Sequence, residues 1–366
     1  MKSSGKMRQK VLLISAVMIL LIILAVILFI GNRRDARPKV GLIITGSMEE
    51  SGWNGAHYQG VKYACEQLDA ELLVKENVQE GTGKCAEAIK ELATEGAGMI
   101  ILSSYAYPEE AKAVVDSYSK IAFYGISAEY YAENMTSYFG RMYQARYLAG
   151  IVAGMKTESN KVGYVAAMPN SEVNRGINAF TLGVKKANPE AEVYVVWTNT
   201  WDDEKIETEA TNKLIDDVGV DIITCHQNQN YVVQTADKAG IYSIGYNKAA
   251  EGLSEKYLTA AVWNWNELYF QIMREYMQGK ANSVKRHWFG INTEVVALAD
   301  CSPLVEEDIC TYLKSLKNEL YAGKDVFSGV IYDNSGQLRC NEGESISDEV
   351  LLERMDWYVD GVVIYE

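Results

Sequence analysis

Residues 39–68, "KVGLIITGSMEESGWNGAHYQGVKYACEQL", form one strand–loop–helix unit that decides the fold class. The first seven residues, 39–45, are a β-branched apolar run that predicts a buried strand. Over 54–68, apolar residues recur with helical spacing,. The loop between them is rich in Gly, Ser and Glu, yet it ends at Trp53, although large aromatic side chains are usually buried.

The same unit recurs along the chain. Strands are predicted over 70–78, 97–104, 121–127, 161–168, 192–199, 220–226 and 242–247,. Helices are predicted over 84–96, 108–119, 140–157, 172–188, 202–218, 230–239, 266–279 and 301–324,. The helix over 140–157 carries Gly150 and Gly154, which suit close packing. Alternating strands and helices indicate an α/β protein with parallel, doubly wound sheets.

Two successive series of these units predict two lobes with a ligand cleft between them. The first lobe is expected over 38–150 and completed by about 258–290. The second is expected over 151–257 and completed by about 291–366. In such sheets ligands bind beyond the C-terminal ends of the strands, so the loops that follow strands should form the site.

The N-terminal 37 residues differ from the rest. Residues 11–30, "VLLISAVMILLIILAVILFI", carry no charge, and about 20 apolar residues are enough to span a bilayer as a helix. The "GNRRDARPK" that follows lacks the small-residue cleavage site of a signal peptide,, and no cysteine is near for lipid attachment. The sequence therefore predicts an uncleaved transmembrane anchor in the cell membrane.

The charge of the chain divides unevenly. Residues 1–37 hold seven Lys or Arg and one acid, so they carry +6, and the net charge of −14 leaves −14 − 6 = −20 on residues 38–366. Such an acidic body lacks the basic footprint of a nucleic-acid-binding protein. The charge indicates solubility and predicts no nucleic-acid partner.

No catalytic or metal motif stands out. The six cysteines include no C-x-x-C pair and no Cys/His cluster with zinc spacing,. Cys301, Cys310 and Cys340 are close enough in sequence for a disulfide, and buried free thiols are the alternative. The sequence contains no P-loop or nucleophile motif. We therefore expect no cofactor, no metal and no enzymatic activity.

Aromatic residues stand in predicted loops of both lobes. "WTNTWDD", residues 197–203, places Trp201 after a strand, just before Asp202, and either acid of this motif can cap the next helix. Trp263 lies at a predicted crossover. Aromatics from both lobes suggest a sandwich for a flat ligand, since stacking contributes about 1–3 kcal/mol per base. Alternatively, each tryptophan packs into the edge of its own lobe.

Several segments together carry a family resemblance. "GWNGAHYQG", "GRMYQARYLAGIVAGM", "VGYVAA", "NRGINAFTLGVKKANP" and "NTWDD" resemble the basic-membrane-protein (Bmp/PnrA-like) family of substrate-binding proteins, over residues 39–290. The resemblance implies a type I periplasmic-binding-protein fold with three crossovers. It also implies a monomeric, extracytoplasmic nucleoside- or nucleobase-binding component of an ABC importer, with a membrane permease as partner.

The resemblance further implies a ligand held by both lobes. Trp53 and Asn54 match the aromatic and the asparagine that stack on and hold the purine in this family. Trp201 and Asp202 match the residues on the other face of the base. The expected mechanism is hinge closure, in which the ligand stabilises the closed state because only there do both lobes touch it.

Two positions depart from the family pattern. Asn247 stands where the family commonly has an acid that contacts the ligand sugar. Ser127, with Glu129 nearby, stands where a first-lobe loop often offers another acid. Both departures favour a free purine such as adenine over a nucleoside.

Other polar residues lie near the predicted cleft. His226 and Gln227 end a strand and can each hydrogen-bond a base edge, although the histidine can equally be structural. Asn174 and Arg175 lie at a helix start, where a cleft role and a capping and packing role both fit.

The uncleaved anchor leaves two functional classes open. One is the substrate-binding subunit of a purine importer. The other is a membrane-tethered purine sensor that reports to a partner protein. A nucleoside hydrolase would need a carboxylate cluster for metal, for which "WDD" and "EESG" are the candidates.

Overall fold

The computed structural model describes residues 37–366, except 51, 129, 131, 250, 251 and 253, together with Met18. The predicted anchor over 11–30, apart from Met18, and Glu129 therefore lie outside the described residues. Within the described part of the chain, no helix is both long and apolar enough to cross a membrane.

The chain alternates strands and helices from Lys39 onward. The first series is β1 (Lys39–Ile43), α1 (Trp53–Gln67), β2 (Glu71–Lys75), α2 (Lys84–Thr94), β3 (Met99–Leu102), α3 (Tyr107–Val115), β4 (Ala122–Ile126) and β5 (Met135–Gly140). The second is α4 (Met142–Lys156), β6 (Lys161–Ala166), α5 (Ser171–Ala187), β7 (Glu192–Trp197), α6 (Glu204–Lys213), β8 (Ile222–His226), α7 (Tyr231–Ala239), β9 (Tyr242–Asn247) and β10 (Tyr257–Trp263). The remaining elements are α8 (Trp265–Met277), β11 (Arg286–Phe289), β12 (Val296–Leu298), α9 (Glu307–Tyr321), β13 (Ile331–Tyr332), β14 (Leu338–Cys340), α10 (Asp348–Glu353) and β15 (Val362–Ile364).

The strands form two large sheets, one in each lobe. The first sheet has the order β11-β5-β4-β3-β1-β2, and all its neighbours are parallel. The second has the order β12-β10-β9-β8-β6-β7-β15, and only β12 runs antiparallel to its neighbour. The predicted α/β architecture of two parallel-sheet lobes is confirmed.

The chain crosses between the lobes three times. It leaves the first sheet after β5, returns after β10, and leaves again between β11 and β12. Two segments lie in a different lobe from the one expected. The strand at the start of the 258–290 segment pairs with β9 of the second sheet, and α4 packs against α5 of the second lobe although the boundary was expected at 150. The first of the two segments that build the first lobe thus ends near residue 140, and the second runs from α8 through β11.

Glycines allow the close crossing of α4 and α5. A Cβ atom on Gly150 would lie 2.0 Å from the carbonyl oxygen of Phe180, and one on Gly183 would lie 2.1 Å from that of Tyr147. Both distances are far below van der Waals contact, so the two backbones touch directly. The predicted close packing at Gly150 is confirmed, and it explains why α4 belongs to the second lobe.

Candidate ligand-binding site

A cavity of about 970 Å³ lies between the lobes, which is within the range of about 300–1,000 Å³ typical of small-molecule sites. The first lobe lines it with Thr45, Trp53, Gln79, Glu80, Ser104, Tyr105, Ala106, Ile126, Ser127, Ala128, Ser137, Phe139, Arg286, His287 and Trp288. The second lobe contributes Pro169, Asn170, Ser171, Glu172, Asn174, Arg175, Trp201, Asn228 and Tyr246. The C-terminal segment adds Leu352, Glu353, Met355 and Asp356. Many of these residues follow strands, as expected of an α/β cleft.

Trp53 is the first residue of α1 and is fixed on two sides. Its indole Nε1 donates to the carbonyl oxygen of Ser103 at 2.9 Å. Its ring meets the rings of His57 and Trp265 edge-on, at centroid distances of 4.2 and 5.3 Å. An aromatic cluster and a backbone carbonyl therefore hold Trp53 at the cavity wall. This explains why a tryptophan stands at the end of a polar loop.

Asn54 lies outside the cavity lining, because its side chain holds the preceding loop. Its Oδ1 accepts from the backbone N–H and the hydroxyl of Thr45, at 3.1 and 3.0 Å, and its Nδ2 donates to Glu50 at 2.8 Å. The loop is also tight, since a Cβ on Gly55 would lie 1.8 Å from the Glu50 carbonyl oxygen. Asn54 thus shapes the wall to which Thr45 and Trp53 contribute.

The loop that carries Trp201 is fixed in a comparable way. Gln227 is buried beneath it. With the Gln227 amide oxygen accepting from the Thr198 hydroxyl at 2.7 Å, its nitrogen reaches the carbonyl oxygens of Thr200 and Trp201 at 3.0 and 3.3 Å. Gln227 therefore positions Trp201 and lies outside the cavity lining.

The two acids after Trp201 have separate roles. Asp203 caps α6 by accepting from the backbone N–H of Ile206 at 3.0 Å, which confirms the capping alternative for one acid of the motif. Asp202 is exposed and accepts from Gln229 Nε2 at 3.1 Å. It lies beside the cavity but does not line it.

Left-handed backbone marks three strand ends near the cleft. Ser127, Asn199 and Asn247 have φ values of +47°, +55° and +69°. Such conformations are uncommon for residues other than glycine, and asparagine tolerates them best. Ser127 lines the cavity, whereas Asn247 is buried behind it with no partner for its Oδ1 among the described residues.

Trp263 lies at the second crossover and is buried. Its ring stacks on that of Trp265, with centroids 4.5 Å apart and planes inclined by 14°. Its Nε1 is 3.3 Å from the hydroxyl oxygen of Tyr246. Trp263 therefore connects the lobes through an aromatic stack and does not line the cavity.

Asn174 and Arg175 line the cavity and bind the C-terminal segment. Asn174 Nδ2 donates to the carbonyl oxygen of Met355 at 2.9 Å, and Arg175 donates to that of Leu351. Asn170 caps α5 by accepting from the N–H of Val173, so neither predicted residue is the helix cap. These two residues therefore both line the cavity and pack against the C-terminal segment.

His226 lies behind the cavity wall, with Glu172 in front of it. The His226 Nε2 and Glu172 Oε1 atoms are 3.9 Å apart. Both ring nitrogens of His226 lack a hydrogen-bond partner among the described residues. Burial, assisted by the guanidinium groups of Arg146 and Arg175, lowers the pKa of His226 well below its usual value. The imidazole is therefore neutral at physiological pH.

The C-terminal segment forms a wall that the sequence did not indicate. Asp348 pairs with Arg141 through two contacts of 2.9 and 2.6 Å, and Glu353 pairs with Arg286 of β11 at 3.1 Å. The segment thus joins the second lobe, on which it packs, to the edge of the first. Glu172 was also missed, because one glutamate in the first turn of a helix is an ordinary feature.

The six cysteines are free thiols. Cys340 is buried and Cys301 and Cys310 are half-buried. The alternative of free thiols is therefore confirmed over a disulfide among these three.

Two α/β lobes, three crossovers and a cavity between strand ends define a solute-binding protein of the two-lobe kind. The family model described as "ABC transporter substrate-binding protein PnrA-like" matches residues 37–325. The chain belongs to this Bmp family. Substrate-binding proteins of ABC transporters are extracytoplasmic and bind solutes without catalysing a reaction, so the chain is not an enzyme.

Individual relatives carry different names. The chain is 33% identical over 314 residues to a protein named ABC transporter glucose-binding protein TsgA13 of Haloferax volcanii, covering 85% of this chain and 76% of the relative. It is 30% identical to "Purine-binding protein BAB2_0673" of Brucella abortus, covering 90% and 93%. It is 26% identical to "Transcriptional activator protein med" of Bacillus subtilis, covering 74% and 84%.

Solved structures share the fold. A transcriptional activator of the comK gene from Bacillus halodurans superposes with a TM-score of 0.70 at 24% identity, over 78% of this chain and 99% of that one. An ABC transporter solute-binding protein from Conexibacter woesei gives a TM-score of 0.64 at 18% identity, over 78% and 97%.

Proposed function

We propose that this protein captures a purine base or nucleoside between Trp53 and Trp201 and presents it to an ABC permease. The observation that carries the proposal is that one tryptophan from each lobe lines the same cavity. A flat ligand between two indoles gains stacking on both faces. Ligand binding then favours the closed form, because only that form offers both faces at once.

The names of the relatives point to two kinds of ligand, a purine and a sugar. One relative at 30% identity is named as purine-binding and another at 33% as glucose-binding. Two indoles suit a planar heterocycle with two π-faces better than they suit a sugar ring. Ser127, which lines the cavity in place of an acid, favours the free base over the nucleoside.

The test is a titration of the purified full chain, freed of bound ligand, with adenine, guanine, hypoxanthine, their nucleosides and glucose. Tryptophan fluorescence and calorimetry report binding. Micromolar or tighter binding of bases would support the proposal, and preference for nucleosides would support a ribose contact. Binding of glucose with no response to any purine would refute it.

Tryptophan substitutions test the stacking itself. Trp53→Ala and Trp201→Ala should each weaken binding by about ten- to hundredfold, with the fold retained. Trp197→Phe is the matched control, since Trp197 ends β7 but does not line the cavity. Unchanged affinity in both alanine variants would rule out the sandwich.

We also propose that residues 11–30 anchor the protein in the membrane, with the binding lobes on the extracytoplasmic face. The support is the uncharged apolar run of 20 residues and the absence of a cleavage motif after it,. Carbonate-resistant membrane association of the full chain, lost when 11–30 is deleted, is the expected result. Release of the intact chain by carbonate would contradict an anchor.

A membrane-tethered purine sensor is the second candidate. It is favoured by the relative named as a transcriptional activator and by the structural neighbour with a similar title. The two functions differ in the phenotype of a deletion strain. Loss of labelled purine uptake would support the importer, whereas intact uptake with loss of a transcriptional response to purine would support the sensor.

A further inference from the structure

Glu172 offers a hydrogen-bond acceptor to the cavity that the protein itself does not use. It lies in the first turn of α5 and its side chain keeps 27% of its surface exposed. Within the described part of the chain, no N–H or O–H group donates a hydrogen bond to its carboxylate. A carboxylate in a closing cleft needs donors, because an unpaired buried charge is strongly unfavourable.

His226 supplies a second unused group beside it. Its side chain is 2% exposed, and its Nε2 lies 3.9 Å from Glu172 Oε1, which is too long for a direct hydrogen bond. Because the ring is neutral, one of its nitrogens is an acceptor, and that nitrogen is Nε2 when Nδ1 carries the proton. One atom placed between Nε2 and Oε1 could therefore contact both.

The surroundings hold these two groups in place. Arg146 is buried and donates to the carbonyl oxygen of Cys225 at 2.7 Å, and its guanidinium lies 4.1 Å from the ring of Tyr246. The Tyr246 ring in turn lies 4.5 Å from that of His226. Burial raises the pKa of Glu172, while Arg175 and Arg146 oppose this rise.

We propose that Glu172 and His226 form an acceptor pair for an exocyclic amino group of the ligand. The inference rests on the proposed purine ligand and narrows it to aminopurines such as adenine. An amino nitrogen carries two hydrogens and can donate one to each partner, at the usual distance of about 2.9 Å. An oxo group at the same position has no hydrogen to donate and would face a carboxylate.

The test compares adenine with unsubstituted purine, which has the same ring system but no amino group. Wild-type protein should bind adenine about 10- to 100-fold more tightly, as expected for hydrogen bonds to a charged group. Glu172→Leu should remove most of this preference, so that adenine loses far more affinity than unsubstituted purine. Glu172→Gln keeps an acceptor oxygen and should retain part of the preference.

The ratio of the two affinities separates recognition from a structural role. Damage to the fold would weaken the binding of both ligands alike, whereas loss of the acceptor pair weakens adenine binding more and so changes the ratio. Glu204→Leu is the matched control, because Glu204 is an exposed glutamate in the first turn of α6. Its ratio should equal that of the wild type.

Two contrary results are distinguishable. Equal wild-type affinity for adenine and purine, or an undiminished preference in Glu172→Leu, would overturn the acceptor pair alone. Failure of the wild type to bind any purine would overturn the proposed ligand and this inference together.

Discussion

The two lobes differ in how far the polar groups at the cavity wall are paired. On the first-lobe side, Trp53 Nε1, Asn54 and Glu80 all have partners within the lobe. Asn54 bonds within its own loop, whereas Trp53 and Glu80 bond to the loop after β3, where Glu80 accepts from the Ser104 hydroxyl and the N–H of Ala106. On the second-lobe side, buried polar atoms lack partners among the described residues. They are both ring nitrogens of His226, Nε and Nη2 of Arg146, the Tyr164 hydroxyl, and the Oδ1 atoms of Asn174 and Asn247.

The difference indicates that the two lobes contribute different properties to the cavity. A satisfied wall keeps its shape with or without a ligand, whereas unsatisfied groups lower stability until a ligand or water pairs them. Under the proposed function, the first lobe holds Trp53 in a paired wall, and the second adds unpaired hydrogen-bonding groups beside Trp201. The first lobe also has buried atoms without a partner among the described residues, but they lie mostly behind the wall: His57 Nε2, the Tyr124 hydroxyl, Glu275 Oε2, and Nε1 of Trp265 and Trp288.

The largest expected effect concerns the first-lobe wall. Asn54→Ala removes two hydrogen bonds with Thr45 and one with the Glu50 carboxylate. We expect the free energy of unfolding to fall by about 2–4 kcal/mol. Urea denaturation measures it, with the exposed Gln59→Ala on the same helix as control. A change below about 0.5 kcal/mol would show that this wall is not held by its own loop.

The second effect concerns a titratable group in the second lobe. Glu207 is fully buried with no partner for its Oε2 in the described part of the chain. Burial raises its pKa to about 7, although the N–H of Asp203 opposes the rise. Because the folded pKa exceeds the ordinary value of 4.5, the ionised form destabilises the fold, and stability is lost as pH rises from about 4.5 to 7.

Glu207→Gln removes this penalty. At pH 8 the variant should be more stable than the wild type by about 2 kcal/mol, and the two stabilities should converge near pH 4. Thermal unfolding across this pH range measures the difference. A constant difference at all pH values would contradict titration of Glu207 as the cause.

A pair of buried histidines sharpens the comparison further. His57 of the first lobe is bonded to the hydroxyl of Tyr269 through Nδ1, whereas His226 has no partner for either nitrogen among the described residues. His226→Leu should stabilise the free protein by about 1 kcal/mol while weakening adenine binding. His57→Leu should destabilise it, because it removes a hydrogen bond and an aromatic contact with Trp53.

Opposite signs for the two histidine variants are the critical result. Calorimetry on the ligand-free proteins gives both values, and adenine titration gives the affinity. If both variants lost stability equally, the second-lobe wall would be as well satisfied as the first.

The fold was predictable because strand–helix alternation is local and repeated. The strand β5 was missed, since "MTSYFG" carries the polar Thr136 and Ser137, which are nevertheless buried. The Thr136 hydroxyl is satisfied by the carbonyl oxygen of Val284, 148 residues away in sequence. A partner at that distance leaves no local signal in the chain.

The site was predictable only in part, and for a similar reason. Trp53 and Trp201 line the cavity as predicted, because an aromatic in a polar loop is a visible anomaly. Asn54 and Gln227 hold loops, yet the same amide groups would equally suit a ligand. Sequence alone does not distinguish these uses, since the distinction depends on which neighbour is nearer.

The smallest expected effect lies at the edge of the first-lobe wall. Ser127 adopts φ of +47° where β4 ends, and its N–H donates to the carbonyl oxygen of Tyr138 at 3.0 Å. A left-handed conformation costs a residue with a Cβ about 1–2 kcal/mol, while glycine adds flexibility to the unfolded chain that offsets part of the gain. Ser127→Gly should therefore stabilise the protein by about 0.5 kcal/mol.

Asn199→Gly, at φ of +55° in the second lobe, should stabilise it less, because asparagine tolerates this conformation. Chemical denaturation of both variants measures the two gains. A stability gain at Asn199 that equals or exceeds the gain at Ser127 would mean that the backbone of Ser127 is not strained. The shape of the first-lobe wall would then depend on side-chain hydrogen bonds alone.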